Sequence, residues 1–159
     1  MTSLHIRPTT VSDYPAICGL VESDEELFLV HPSGNFPWTI AQLKKLASER
    51  FDLSVMVQNN EVIGFANLYG LEPRQHAFIG NVIIASSQRG HSYGRRLILY
   101  MIEALFHQHQ LPEAHISVFA DNTPALPLYH SLGFQPYAEE VRHTPMGNRQ
   151  LIHMRLKKS

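Results

Sequence analysis

Six residues, Arg89-Gly90-His91-Ser92-Tyr93-Gly94, stand between an apolar run and a long amphipathic segment. The run Val82-Ile83-Ile84 suits a buried strand, and Ala85, Ser86, Ser87 and Gln88 supply a small, polar turn after it. A strand, a tight loop and a helix start in that order make an anion site. The loop N–H groups converge, and the helix N-terminus adds partial positive charge. The ligand this implies is a pyrophosphate. A Walker A loop would end in Gly-Lys-Ser/Thr, and Gly90 to Gly94 holds no lysine. A dinucleotide fingerprint would place G-x-G-x-x-G after the first strand with an acid beyond it, and that pattern is absent. What remains is Arg89-x-x-Ser92-x-Gly94 opening a helix in mid-chain.

The elements that must hold this loop can be read in order. Leu4-His5-Ile6-Arg7 alternates and stops at Pro8, as a short strand does. Thr10 or Ser12 can cap a helix over Asp13 to Leu20. Glu22 to Pro37 collects four acids and then Pro and Gly, a density that reads as a loop. The acids suit either a specificity-bearing loop or a solvated helix face. Thr39 opens a second helix with Ile40, Leu43, Leu46 and Ala47 on one side. Leu53–Val57 and Val62–Tyr69 form a hairpin about Gln58-Asn59-Asn60-Glu61. A loop from Gly70 to Gln75 precedes the strand His76–Ile84.

Beyond Gly94, residues Leu97, Ile98, Met101, Ile102, Leu105 and Phe106 make the stripe of a helix packed on a sheet, and Pro112 stops it. His115–Phe119 is the next strand. Asp121-Asn122-Thr123-Pro124 opens a short helix closed by Gly133. Phe134–Val141 and Gln150–Leu156 are the last two strands, joined across Met146-Gly147-Asn148. The order is β-α-α-β-β-β-α-β-α-β-β. Hairpins imply antiparallel pairing, and the strand–helix–strand passage from 76 to 119 implies a parallel, right-handed crossover. The expectation is one α+β domain over residues 1–159, with a mixed, mostly antiparallel sheet flanked by helices on both faces.

Composition narrows the function. Thirteen basic and 14 acidic residues leave a formal net charge of -1, which gives no basic face for nucleic acid or an anionic membrane. The 10 histidines are scattered without metal-ligand spacing, so no metal is expected. Cys18 stands alone and reads as a small buried hydrophobe. MTSLHIRPTT has no signal-type apolar run, and no stretch is long enough to span a bilayer, so a cytoplasmic protein is expected.

Two segments together carry a resemblance. Arg89 and Gly94 match the outer positions of [QR]-x-x-G-x-[GA], and Asn122-Thr123-Pro124-Ala125-Leu126-Pro127-Leu128-Tyr129-His130-Ser131-Leu132-Gly133-Phe134 is similar to N-x-x-A-x-x-L-Y-x-x-x-G-F. Both are motifs of the GCN5-related N-acetyltransferases, in the same order. The match covers about residues 61 to 137. The resemblance implies the acyl-CoA N-acyltransferase fold, with acetyl-CoA as cosubstrate and a small-molecule amine or peptide as acceptor. It places the pyrophosphate on the backbone of Arg89, Gly90, His91, Ser92, Tyr93 and Gly94, and the pantetheine arm against Val82, Ile83 and Ile84.

Further roles follow from the resemblance. Asn122 would either bond the pantetheine arm or cap the helix. Tyr129 would protonate the departing CoA thiolate, or pack its ring over the sheet. Glu72 and His76 are the candidates for the base, and Asn81 could orient water. Glu26, His31 and Trp38 could line the acceptor pocket. Two residues depart from the pattern. Ser92 replaces the middle glycine, and Pro127 removes a backbone donor from the helix that carries Tyr129. These departures favour the alternative function, an acyl-CoA-binding sensor or interaction module without turnover. The final strands offer an edge through which two copies could pair.

Overall fold

The computed structural model describes residues 3–144 and 147–159. Seven strands form one sheet in the order β1-β2-β3-β4-β5-β7-β6. In the chain these are β1 (Leu4–Pro8), β2 (Phe51–Gln58), β3 (Glu61–Glu72), β4 (His76–Ile84), β5 (Glu113–Phe119), β6 (Gln135–Thr144) and β7 (Gly147–Lys157). Every neighbouring pair is antiparallel except β4 with β5. The helices are α1 (Tyr14–Cys18), α2 (Asp24–Val30), α3 (Ile40–Glu49), α4 (Tyr93–Glu103) and α5 (Ala125–Ser131). This is the mixed, mostly antiparallel arrangement that the pattern implies. Met146, part of the expected last turn, lies outside the described residues.

Alternation along the strands sends apolar side chains to two faces. Met56 and Leu68 pack with Leu97, Ile98, Met101 and Leu105 of the long helical segment. Val55, Val57 and Phe65 pack on the other face with Ile17, Leu27, Leu43 and Leu46 from α1, α2 and α3. Helices therefore cover both faces of a twisted sheet, which needs two apolar layers. Asn59 and Asn60, both at positive φ, make the β2–β3 turn, as hairpin geometry demands.

Of the two readings of the acidic stretch after Val21, the helix face holds and the loop does not. Ser23 caps a helix there: its Oγ accepts a hydrogen bond from the Glu26 amide at 3.1 Å. The Glu26 side chain accepts in turn from the Glu22 amide at 2.9 Å. Asp24, Glu25 and Glu26 occupy the first turn, where the helix dipole favours negative charge. The irregular segment begins only at His31.

Two features of β4 set the site. Its pairing with β5 runs from His76↔Glu113 to Ile79↔Ile116 and stops. Beyond Ile116, β5 continues to pair with β7 only. The two central strands thus part company halfway along β4. At the parting, β4 carries a bulge: Phe65 faces Ile83 and Asn67 faces Gly80, so three steps of β4 oppose two of β3. Asn81 fills the extra position at φ 51°.

Both the oxygen and the nitrogen of its carboxamide are bonded. Asn81 Oδ1 accepts from Asn67 Nδ2 at 2.7 Å, and Asn81 Nδ2 donates to the Val30 carbonyl at the end of α2. Asn→Ala at position 81 removes both bonds, orphans a buried Asn67 donor and leaves a Cβ-bearing residue at positive φ. We expect about 2–4 kcal/mol of lost stability in denaturant unfolding. Asn81→Gly keeps the backbone relaxed and should lose ~1 kcal/mol less.

Candidate active site at the parting of the central strands

A cleft of about 620 Å³ opens where β4 and β5 separate. Val82, Ile83 and Ile84 form one wall, the loop and the start of α4 form its floor, and Asn122, Pro124, Ala125, Leu128 and Tyr129 face them. The strand edge on this side is unpaired. The Ala85 amide donates to the Ile63 carbonyl at 2.7 Å, so the pleat turns the polar groups of Val82 and Ile84 away from β3. The Ile84 carbonyl accepts from Arg89 Nε at 3.1 Å on that free side. Ile83 turns its backbone to β3 instead. Val82 and Ile84, rather than Ile83, offer main-chain groups to an extended ligand.

The loop is shaped as an anion site. α4 starts without a side-chain cap, which leaves its first amides unbonded toward the cleft. Gly90, Ser92, Tyr93 and Gly94 line this end. Gly90 takes φ +84°, and its missing Cβ leaves open space. Arg89 donates to Glu26 Oε2 at 2.9 Å, tying the loop to α2. Glu26 therefore lies in the cleft as the partner of Arg89. Tyr93 accepts from Gln58 Nε2 at 3.1 Å. His91 is exposed and does not line the cleft.

A second cavity of about 260 Å³ lies on the opposite side of the parting. His31, Ser33, Arg50, Tyr69, Gly80, Asn81, Ser117 and Arg142 line it. Leu29, Val30, Val82, Asn122 and Tyr129 line both spaces, so the two meet at Tyr129. The Tyr129 hydroxyl bonds to no other described residue, and burial raises its pKa well above that of an ordinary phenol. A phenol in this state stays protonated and keeps a proton to donate. The Asn122 side chain is equally free: α5 begins at Ala125 with Pro124 as its cap residue. Asn122 thus faces both spaces without capping the helix.

Pro127 costs the helix nothing. It is the third residue of α5, inside the first turn, whose N–H groups have no intrahelical partner anyway. The expected bend is absent as a physical necessity, and one of the two features pointing to a non-catalytic sensor goes with it.

Besides His91, three expected site residues are not brought here. His76 sits at the far end of β4, opposite Glu113, with its ring stacked on His115 at 4.0 Å. Glu72 pairs with His76 in the same exposed turn region. Strand direction explains both: they lie at or before the first residue of β4, on the paired side of the parting. Trp38 is 4% exposed and packs edge-on against Phe65 at 6.3 Å, beneath His31 rather than in the cavity. His31 and Asn81 do line the cavity. Arg50 is a site residue that the sequence reading missed. Its position at the end of α3 gave no periodic or motif signal.

The fold defines the class: a mixed sheet with parted central strands and an uncapped helix start beneath them, as in acyl-CoA N-acyltransferases. The family model for the "Acetyltransferase (GNAT) family" matches residues 17–134, and the chain belongs to that family. Several solved structures share the fold. Ribosomal-protein-S18-alanine N-acetyltransferase from Escherichia coli superposes with a TM-score of 0.77 at 22% identity, covering 99% of this chain and 95% of that one. Ribosomal-protein-alanine N-acetyltransferase from Brucella melitensis gives 0.81 at 21%, covering 97% and 99%. Spermidine N-acetyltransferase from Vibrio cholerae, in complex with CoA and spermine, gives 0.81 at 19%, covering 97% and 95%. Comparison with curated protein sequences gives no significant match.

Ser92 has φ 64° and ψ 21°, the left-handed region that the family's glycine would occupy freely. Holding serine there costs ~1–2 kcal/mol, against which glycine would lose ~0.5–1 kcal/mol of backbone entropy. Ser92→Gly should therefore stabilise the protein by ~0.5–1 kcal/mol in thermal unfolding, with CoA binding retained. A lower melting temperature would show that the serine hydroxyl matters more than the strain.

Proposed function

We propose that the protein is an acetyl-CoA-dependent N-acetyltransferase that moves the acetyl group directly to a primary amine in a ternary complex. The observation that carries this reading is the meeting of two separate cavities at Tyr129, one an anion-binding cleft and the other a polar pocket. The cleft takes CoA, with its pyrophosphate on the amides from Gly90 to Gly94 and its pantetheine arm along Val82 and Ile84. The amine enters from the other side, which places it behind the thioester carbonyl. Family membership supports the chemistry, and the spermidine enzyme of the same fold has CoA bound.

An amine attacks only as the free base, and a lysine-like ammonium of pKa ~10.4 must first lose a proton. His31 lines the acceptor cavity, and burial, followed by the charge of Arg50, lowers its pKa. It is therefore neutral at neutral pH and able to accept that proton. The nitrogen lone pair forms the new bond to the carbonyl carbon, and the oxyanion takes hydrogen bonds from the free edge of β4. The attacking nitrogen, cationic in the adduct, loses its second proton to solvent, and collapse of the tetrahedral species breaks the C–S bond. The Tyr129 hydroxyl donates its proton to the leaving thiolate, and a proton from solvent restores it.

Release of free thiol from acetyl-CoA in the presence of an amine panel tests the reading. Tyr129→Phe should cut kcat by ~10²–10⁴-fold with CoA affinity unchanged. Unchanged turnover would remove the acid from Tyr129. The pH profile tests His31: with its pKa lowered, activity should be lost only as pH falls below the ordinary imidazole range. His31→Gln should remove that limb of the profile and lower kcat/KM by ~10²-fold.

A further inference from the structure

Resting on that reading, we propose that the acceptor amine carries an oxyanion, in the simplest case the carboxylate of an amino acid, which the Arg50 guanidinium binds inside the acceptor cavity. Arg50 is a half-buried cation with one hydrogen bond among the described residues, from its terminal nitrogen to Asn67 Oδ1 at 3.1 Å. No carboxylate of a described residue forms an ion pair with it. Such a guanidinium leaves several donors in a planar fork that matches a carboxylate. A partly desolvated charge without a counter-ion is costly, and a ligand that supplies one recovers that cost.

The surroundings are built to hold this side chain. Its guanidinium carbon lies 4.1 Å above the centre of the Tyr69 ring. Gly80 makes room for both: a Cβ there would meet Arg50 at 2.4 Å and Tyr69 at 2.5 Å. The hydrogen bonds from Arg50 to Asn67, Asn67 to Asn81 and Asn81 to the Val30 carbonyl run in one donor-to-acceptor direction. Each carboxamide is thereby held with its oxygen toward the donor that precedes it. Arg142 adds a second positive charge at the rim, paired with Glu140 at 2.5 Å. The residues lining the cavity include no Asp or Glu among those described, and Glu49 faces a neighbouring space. A polyamine would find Arg50 without an ion-pair partner among the described residues and, at the rim, an Arg142 already paired with Glu140. The volume, about 260 Å³, suits a small molecule or a chain end.

Thiol release from acetyl-CoA is followed with L-amino acids, their carboxamides, the matching decarboxylated amines, aminoalkylphosphonates and spermidine. The oxyanion-bearing amines should exceed their neutral counterparts by ~30-fold or more in kcat/KM. Whether carboxylates or phosphonates lead identifies the kind of oxyanion. Arg50→Gln should collapse that preference through a raised KM for the oxyanion-bearing amines, over and above any change through His31 that neutral amines share, with CoA affinity unchanged, and Arg50→Lys should restore part of it. Equal losses for neutral amines would mark Arg50 as structural and overturn the proposal. Wild-type preference for neutral amines or spermidine would overturn it while leaving the transferase reading intact. Should Arg50→Gln not fold, the wild-type ratios decide. No thiol from any amine, with CoA still bound, would contradict the transferase reading and this one together.

Discussion

The separation of β4 from β5 after Ile79 and Ile116 is the constraint on which the rest depends. A sheet normally satisfies every strand edge with its neighbour, and an unpaired edge in the middle of a sheet leaves polar backbone without partners. Here the edge is exposed by design. On one side it borders a cleft, with Val82 and Ile84 presenting main-chain groups and Arg89 already bonded to the Ile84 carbonyl. The bulge at Asn81 lies at the same point and increases the local twist of β4. Helix α4 can therefore begin directly beneath the opening, with its amides uncapped.

The bulge also joins the two halves of the site. Asn81 bonds to the end of α2 and to Asn67, and Asn67 holds Arg50. Glu26, earlier on α2, holds Arg89 in the loop below the cleft. One short helix is thus attached at its first turn to the loop below the cleft and at its last residue to the bulge beside the polar cavity. Tyr129 closes the junction from α5. Its burial keeps the phenol protonated.

Much of this was legible in the residues. β4 was bounded correctly, because an apolar run ended at a small-residue turn. The α4 stripe and the β2–β3 hairpin followed from period and turn chemistry. Tyr129 and the loop emerged through their motifs. The misreadings have separate causes. The residues of helix α2 read equally as a loop or a solvated helix face because proline and glycine follow them closely, although Ser23-x-x-Glu26 is the spacing of a helix start. Pro127 seemed a defect until the first turn was located. Glu72 and His76 are near the central strand in sequence, but they sit at its paired start and not at the parting. Arg50 belongs to no motif. Its importance comes from Asn67, Tyr69 and Gly80, which lie on two other strands and cannot be seen to converge without the register.

The most direct measurement is an amide-resolved NMR titration of the protein with acetyl-CoA. The account predicts large shifts for the amides of Val82 and Ile84 and for those from Gly90 to Arg95, with His76 to Ile79 unmoved, since the strand is still paired there. Shifts confined to another surface, or none on the β4 edge at saturating ligand, would contradict it.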